Sequence, residues 1–190
     1  MSSVRPYKDS DRERVQQICL DNAGCANASA ETKQYTLIMY CNYYIEQEPQ
    51  NCFVAVNDAD EAVGYLLYSE NYDSYERVFS EIYLPQAAAV SAKRYVDAKM
   101  DMLTHSMFRD SYKCHFHIDV DENYQNAGLG TQLLKAMKTR LRKRRIERVM
   151  LVCDEKNDRV IEFYKKNGFA PLIETKFGLA MGLDLNSEAL

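Results

Sequence analysis

A strand pattern runs directly into a helix pattern near residue 125, and this junction constrains the fold more than any other feature. HFHIDV, residues 115–120, alternates polar and apolar side chains as a β-strand does. After it, apolar residues recur at helical spacing at Leu129, Leu133, Met137 and Leu141. The loop between them, QNAGLG, contains two of the seven glycines of the chain. Free amides at such a helix N-terminus favour an anion, although the loop is equally compatible with a simple tight turn.

Strand and helix patterns alternate along the N-terminal half as well. SVRPY predicts an opening strand, Asp9 or Ser10 can cap a first helix, and a second helix is expected around 32–45. NCFVAVN and AVGYLLYS, joined by the acidic turn DADE, predict an antiparallel hairpin. A polar, tyrosine-rich stretch follows at 70–79, and apolar spacing then predicts one long helix over about 85–107.

The C-terminal half continues this alternation. IERVMLVCD predicts a strand, residues 157–166 a helix that ends at Asn167-Gly168, and FGLAMGLDL a last strand. No internal repeat, linker or low-complexity segment interrupts the chain. We therefore predict a single α/β domain over residues 1–190, with a mixed sheet.

The composition is typical of a globular protein that works inside the cell. Hydrophobic residues make up 46% and charged residues 27% of the 190 residues. No apolar run is long enough for a membrane span, and the N-terminus lacks the apolar segment of a signal peptide, so we expect a cytoplasmic protein with no membrane partner. A net charge of −4 argues against nucleic acid as a partner. The six cysteines form no CxxC pair and are expected to be reduced thiols.

Two sequence blocks carry a resemblance to a known family. Gln125-x-x-Gly128-x-Gly130 resembles the pyrophosphate loop of the GNAT acetyltransferases, and NDRVIEFYKKNGF resembles the second motif of that family. In the second block the matching positions are Asn157, Tyr164, Gly168 and Phe169, whereas Val160 stands where alanine is usual. A narrower similarity, in VRPYKDSDRERVQQICLDNAG, LP and HFHIDVDENYQNAGLG, is to the acetyltransferase-like domain of O-GlcNAcases and its free-standing relatives. It implies no glycoside hydrolysis.

The resemblance implies the GNAT fold, a mixed and mostly antiparallel central sheet flanked by helices. The acetyl-CoA-binding core would span about 112–173, and an inserted helical segment at about 70–110 would precede the cofactor-binding strand. Acetyl-CoA is the implied co-substrate, without a metal. Tyr164 is implied to protonate the departing thiolate, because a phenol and a thiol have comparable pKa values. The residues implied to contact acetyl-CoA are Ile118, Val120, Gln125, Asn126, Ala127, Gly128, Leu129, Gly130, Thr131 and Asn157.

The expected activity is transfer of the acetyl group to an amine acceptor, a small molecule or a protein, by direct attack in a ternary complex. A base must take the proton that the amine loses. Strand alternation places His115, His117 and Asp119 on one face, and we take His117 and Asp119 as the candidate catalytic residues. Which face of the strand meets the acceptor stays open, because this strand is commonly bulged in the family. The alternative function is a cofactor-binding or catalytically silent recognition module.

Several further residues have weaker claims to a role. Glu81 and Tyr83, on a segment that resembles a strand, are additional candidates for the base, and His105 on the inserted helix is expected to be solvated or packed. The HxH spacing with Asp119 would suit a metal, but no fourth ligand is evident and we predict no metal site.

Charge is distributed unevenly along the chain. Residues 135–148 carry eight basic residues and one acidic residue, and RKRR within them could neutralise the 3′-phosphate of the cofactor or act as a nuclear address, so a nuclear location is also considered. A solvated helix end is the interpretation that we favour. Residues 46–101 carry eleven acidic and four basic residues, which favours a cationic acceptor if this half lines the acceptor cleft.

Overall fold

Seven strands form one mixed sheet in the computed structural model, which describes residues 3–187. The strands are β1 (Ser3–Pro6), β2 (Cys52–Val56), β3 (Ala62–Ser69), β4 (Cys114–Val120), β5 (Arg148–Cys153), β6 (Ala170–Thr175) and β7 (Gly178–Asp184). Their order in the sheet is β1-β2-β3-β4-β5-β7-β6. Within residues 3–187, β4 and β5 form a parallel pair and every other neighbouring pair is antiparallel. The predicted mixed and mostly antiparallel sheet is therefore confirmed.

Helices cover both faces of the sheet. They are α1 (Arg12–Asn22), α2 (Ala30–Leu37), α3 (Tyr43–Gln47), α4 (Tyr72–Val78), α5 (Leu84–Val90), α6 (Ala92–Ser106), α7 (Leu129–Lys143) and α8 (Asp158–Lys166). The first helix, the hairpin β2–β3, the two helices α7 and α8 and the last strand agree with the sequence prediction. The predicted second helix spans α2 and α3, joined by the π-helical turn Ile38–Asn42.

The inserted segment contains the helices α4, α5 and α6. Asn71 caps α4 by accepting the amide of Ser74 (3.2 Å), and α4 continues through the π-helical turn Phe79–Tyr83 into α5. The predicted long helix over 85–107 is broken at Ser91. Its backbone is extended (φ −170°) and its Oγ accepts the Arg94 amide (3.1 Å), so Ser91 ends α5 and begins α6. A serine capping contact outweighs the continuous apolar spacing here.

Strand β6 was not predicted from the sequence. Its residues, APLIET, contain a proline and show exposed positions without clean alternation. Pairing with β7, which is buried over most of its length, holds β6 at the edge of the sheet. Edge strands tolerate proline because one row of amides is unpaired.

Two separate clusters of buried side chains lie on the two faces of the sheet. One is rich in tyrosines and forms beneath α1 to α6; the other contains the apolar stripes of α7 and α8. Strand β4 contributes to both, because Cys114 and Phe116 pack toward α7 and α8 while His115 contacts Tyr44 and Tyr75 on the opposite face. β4 therefore separates two chemically different environments.

Candidate active site

The neighbouring strands β4 and β5 diverge and open a cleft in the middle of the sheet. They pair only at Cys114 with Val149 and at His115 with Met150, so the rest of β4 has no partner on that side among the described residues. Two cavities meet at the cleft. The glycine-loop cavity, about 770 Å³, is lined by Ile118 and Val120, by the loop 125–131 and by Tyr164. The tyrosine cavity, about 530 Å³, is lined by side chains that include Tyr40, Tyr44 and Tyr75.

The predicted cofactor residues are brought together around the glycine-loop cavity. All ten except Ala127 line it, and so do the candidate catalytic residues Tyr164, His117 and Asp119. His117 also lines the tyrosine cavity, together with Val152 and Cys153 of β5. The two cavities therefore share a wall at His117.

The backbone of β4 presents free amides to the cleft. The amide of Asp121 donates to the carbonyl of Val63 (3.0 Å), and the β3–β4 register runs without a shift from Gly64–Val120 to Ser69–His115. Since hydrogen-bonded pairs alternate in an antiparallel ladder, Asp119 also pairs with β3, whereas the amides of Ile118 and Val120 point toward the diverging β5. The bulge considered from the sequence is absent from this β3–β4 pairing.

Glycine is required at Gly128 and at Gly130 for two different physical reasons. Gly128 adopts a left-handed conformation (φ +76°) as it precedes α7, with open space where a side chain would begin. A Cβ atom at Gly130 would lie 2.9 Å from Cζ of Phe163, so this glycine lets α7 and α8 approach each other. The loop is thus both a tight turn and a close helix contact.

Amides in this loop are unused by the backbone. Within residues 3–187, the first amide after Tyr124 that donates to a backbone carbonyl is that of Gln132, to Gly128 (3.1 Å). The preceding amides belong to the first turn of α7 or the loop before it, where intrahelical partners are missing and the helix dipole favours an anion. Arg159 of α8 donates to the Asn126 side chain and also lines the glycine-loop cavity, which adds a cation at this point.

Asn157 and Val160 lie at the start of α8. The Asn157 side chain accepts the amide of Val160 (3.2 Å) and caps the helix. Both residues also line the glycine-loop cavity. The cap accounts for Asn157 structurally, whereas contact with a cofactor stays a prediction.

Tyr164 extends from α8 to the cavity on the Phe116 side of β4. Its side chain is 7% exposed and packs edge-on against Phe116 and Phe169, with ring centroids 6.3 and 5.7 Å away. Burial, with a contribution from the Asp119 carboxylate, raises the pKa of Tyr164 above its usual value of 10.0. The hydroxyl is therefore protonated at neutral pH, as a donor must be, but it gives up its proton less readily than a free phenol.

The opposite face of β4 carries the three polar residues that alternation predicted. His115 is fully buried and lies outside both cavities; its Nε2 is 3.0 Å from the Tyr44 hydroxyl, and its ring contacts Tyr75. The His117 ring lies between Tyr40 and Tyr44, at centroid distances of 5.5 and 5.3 Å. Asp119 accepts a hydrogen bond from Tyr65, its direct cross-strand neighbour on β3.

Burial shifts the two candidate bases in opposite senses. It raises the pKa of Asp119 to about 7, although the Tyr65 hydrogen bond works against this rise. It lowers the pKa of His117 to about 3, with a smaller contribution from His105. A base is most effective when its pKa lies near the working pH. Asp119 meets this condition and His117 does not.

The additional base candidates, Glu81 and Tyr83, are excluded by their position. Their segment is a π-helical turn, not a strand. The Glu81 side chain is 63% exposed and lies near Arg77 (3.9 Å), while Tyr83 is buried and donates to Glu46 (2.7 Å). Neither residue lines the two cavities.

His105 packs against neighbouring aromatic rings, as one of the two expectations had it, and also borders a cavity. It lines the tyrosine cavity, and its ring lies 4.9 Å from that of His115. Among residues 3–187, no cluster of three or more histidine, cysteine or acidic side chains is arranged to hold a metal.

The basic tract lies far from the glycine loop. Arg140, Arg142 and Lys143 occupy the last turn of α7, roughly 20 Å along the axis from its N-terminus. Arg140 packs over the Phe53 ring (5.3 Å) and Arg144 pairs with Glu70 (2.7 Å). The tract thus makes structural contacts at the end of α7 that is remote from the loop. Arg159, which the sequence motifs did not single out, lies beside the loop instead.

Three further residues near the site, Tyr65, Tyr40 and Asp101, were not predicted from the sequence. Tyr65 contacts Asp119 only because of the β3–β4 register, and Tyr40 donates to Asp101 (2.9 Å) across sixty-one positions of sequence. No local motif marks these residues. The pairing register of the hairpin with β4 is the signal that could have identified Tyr65.

The site as a whole defines an α/β protein in which a strand–loop–helix junction with free backbone amides lies beside an open cleft in the sheet. The model of the acetyltransferase (GNAT) family matches residues 15–169, and the chain belongs to this family. No protein of curated function matches the chain. None of the helices within residues 3–187 has the length and apolar character to cross a bilayer.

Solved structures share the whole architecture at low sequence identity. SsHAT is 23% identical, with 97% of this chain and 98% of that chain covered and a TM-score of 0.85. PH1933 from Pyrococcus horikoshii OT3 is 16% identical, covers 97% and 98%, and has a TM-score of 0.68. The ribosomal-protein-S18-alanine N-acetyltransferase from Escherichia coli is 16% identical, covers 97% and 94%, and has a TM-score of 0.56. These similarities support the fold; they do not single out the O-GlcNAcase domain.

Proposed function

We propose that this protein is an acetyl-CoA-dependent N-acetyltransferase that acetylates an amine by direct attack in a ternary complex. The observation that carries the proposal is the position of Asp119 and Tyr164, which line one cavity from opposite faces of β4, beside a loop with free amides. A base for the amine and an acid for the leaving group are thereby available at one place.

The glycine-loop cavity suits acetyl-CoA in its chemistry. Unused amides of the loop 125–131 and the Arg159 guanidinium would hold the pyrophosphate, and Gly128 leaves the space around the turn open. The free amides of Ile118 and Val120 would pair with the pantetheine arm along β4. When bound, acetyl-CoA supplies the acetyl group as a thioester. Amides that point to its carbonyl would stabilise the negative charge that develops on the oxygen.

The residues of the chain divide the proton transfers between them. As the acceptor nitrogen bonds to the carbonyl carbon and the C–S bond breaks, Asp119 takes the proton of the nitrogen, directly or through a water. Tyr164 donates its proton to the departing sulfur. Exchange with solvent then returns both side chains to their starting states. His117, neutral at physiological pH, orients the amine where the two cavities join.

The acceptor would enter through the tyrosine cavity. His117 lines that cavity, which adjoins the space assigned to acetyl-CoA along His117, Val152 and Cys153. Two adjoining cavities would allow both substrates to be bound at once, as direct attack requires.

Thermal melts with and without acetyl-CoA test the cofactor assignment. A ligand that binds the folded state at a hundredfold excess over Kd stabilises it by about 2.7 kcal/mol. We expect a clear upward shift of Tm with acetyl-CoA, and no shift at millimolar concentration would refute the proposal. Thiol release over a panel of amines then separates an enzyme from a recognition module: a shift without any release would favour the module.

A further inference from the structure

The tyrosine cavity contains a second polar site, one tyrosine side chain away from His117. The Tyr40 ring packs against His117 (5.5 Å between centroids), and its hydroxyl donates to Oδ2 of Asp101 (2.9 Å). Asp101 and His105 are four residues apart on α6 and both line the cavity, so they share one face of the helix. This pair has no part in the acetyl transfer described above.

Asp101 is a carboxylate without a cation. No ion pair to it is found within residues 3–187, and burial raises its pKa above the ordinary value. Carboxylates with a buried side chain are normally paired with a positive group, because an isolated charge is costly to desolvate. His105 also lacks a partner, since its Nε2 is buried and makes no hydrogen bond. Burial lowers the pKa of His105 to about 4, so that the ring is neutral.

The remaining walls of the cavity also suit a cation. Tyr40, Tyr44, Tyr75 and Phe177 provide aromatic faces, which attract ammonium groups. Asp154 and Glu155 lie at the β5 end, and within residues 3–187 Lys176 is the only lysine or arginine that lines the cavity. The volume of about 530 Å³ falls within the range of small-molecule sites, roughly 300–1,000 Å³.

We propose that Asp101 and His105 bind a second, charged ammonium group of the acceptor, so that the preferred acceptor is a small aliphatic diamine. One nitrogen would be placed at His117 and Asp119 for acetylation. The other would donate to the Asp101 carboxylate and to Nε2 of His105, against the Tyr40 and Tyr75 rings. This assignment rests on the proposed function, since it takes the tyrosine cavity as the acceptor site.

Calorimetric titrations with two matched amines test the assignment without turnover. Putrescine carries two amines on a four-carbon chain, and butylamine is the same chain with one. Each amine is titrated into wild-type protein saturated with coenzyme A, and again into protein without the coenzyme. The preference between the two amines is thereby measured independently of cofactor binding. We expect putrescine to bind at least about tenfold more tightly than butylamine, a difference equivalent to about 1.4 kcal/mol.

Asp101→Asn identifies the group responsible for the preference. Asparagine keeps the shape and an oxygen that can accept from Tyr40, but it removes the charge, so the preference should fall to about twofold or less. Asp97→Asn is the matched control, because it removes a carboxylate one turn earlier on α6 that pairs with Lys93 (2.8 Å) and does not line the cavity. It should leave the preference unchanged.

The wild-type comparison alone can overturn the proposal, whether or not Asp101→Asn folds. Equal affinities for the two amines, or no binding of putrescine, would refute it. A preference that survives in a folded Asp101→Asn protein would assign the second ammonium group elsewhere, and tighter binding of a lysine-containing peptide than of putrescine would exclude a small diamine as the preferred acceptor. Absence of an acetyl-CoA shift in the melts would instead refute the proposed function.

Discussion

The two faces of β4 are built in different ways. On the face toward α7 and α8, the site consists of backbone amides, two glycines and one tyrosine, all within residues 116–164. On the opposite face it includes side chains from the π-helical turn Ile38–Asn42, from α3, α4 and α6 and from β4 itself. The first face is encoded by one continuous stretch, and the second is assembled by the tertiary fold.

This difference teaches where chemical specificity resides in the molecule. Amides and glycines present the same groups whatever the surrounding side chains, so the α7–α8 face suits a co-substrate shared by a family. The tyrosine face presents His117, Asp119 and Asp101 in an environment of aromatic rings, where burial shifts each pKa. Variants on the α7–α8 face should therefore change cofactor binding, and variants on the tyrosine face should change amine kinetics.

The largest expected effect is that of Asp119→Asn on turnover. Loss of a base whose pKa is about 7 should lower kcat by about 10²–10³-fold, whereas acetyl-CoA should still stabilise the protein. Thiol-release rates at saturating amine measure the first effect and melts the second. Asp121→Asn, which removes the next carboxylate along the chain and its contact to Arg14, is the control and should turn over at near the wild-type rate. A fully active Asp119→Asn protein would assign the base elsewhere.

Tyr164→Phe should have a smaller effect on the opposite face. Without the hydroxyl the sulfur leaves unprotonated or takes a proton from water, so kcat should fall by about 10–10²-fold with the KM for acetyl-CoA little changed. The ring contacts to Phe116 and Phe169 are retained in this variant. Tyr124→Phe, another phenol that lines the same cavity, is the control. Equal rates for wild type and Tyr164→Phe would remove Tyr164 from its assigned role.

Asp119 should also make the stability of the fold dependent on pH. Its folded pKa of about 7 lies above the ordinary value of 3.8, so the folded state favours the protonated carboxyl. The stability that this proton contributes is complete below the unfolded pKa and is lost as pH rises toward the folded pKa. The asparagine side chain of Asp119→Asn does not titrate. The stability advantage of this variant over wild type should therefore grow by about 1–2 kcal/mol between about pH 5 and about pH 8.

Chemical denaturation at the two pH values measures this difference. The expected change in stability is smaller than the full pKa shift would give, because Asp119 is only partly shielded from solvent. A difference that is the same at both pH values would show that Asp119 titrates normally, and it would weaken the case for Asp119 as the base as well.

The contrast between the two faces also explains what the sequence could predict. The strand–loop–helix junction and the alternation of His115, His117 and Asp119 follow from short-range spacing, and Tyr164 follows from the resemblance to the family motif. The structure places His117, Asp119 and Tyr164 around one cavity and leaves His115 outside it. The contact of Tyr65 with Asp119 depends on strand register, and that of Tyr40 with Asp101 on the packing of α6 against the π-helical turn. Such contacts are set by long-range packing and leave no periodic signal.

Helix boundaries illustrate the same limit on a local scale. Apolar spacing over 85–107 predicted one helix, because Val96, Met100, Leu103 and Met107 recur at helical intervals. In the structure the break falls at Ser91, and Val96, Leu103 and Met107 are 56%, 49% and 63% exposed. The periodicity therefore identified a helix but not the face that packs, and the cap decided where that helix begins.

The smallest expected effect comes from a matched pair of glycines and would sharpen the assignment of the cofactor face. Gly24 and Gly128 both have positive φ, +67° and +76°, and both have open space where a Cβ atom would lie. Alanine at either position should cost about 1 kcal/mol of stability through left-handed backbone strain alone. Gly128→Ala should in addition weaken acetyl-CoA binding several-fold, because it places a methyl group beside the loop amides, whereas Gly24→Ala should not. Denaturant unfolding measures the loss of stability that the two variants share, and calorimetry measures the difference in their affinity for acetyl-CoA. Equal affinities would mean that Gly128 serves the turn only.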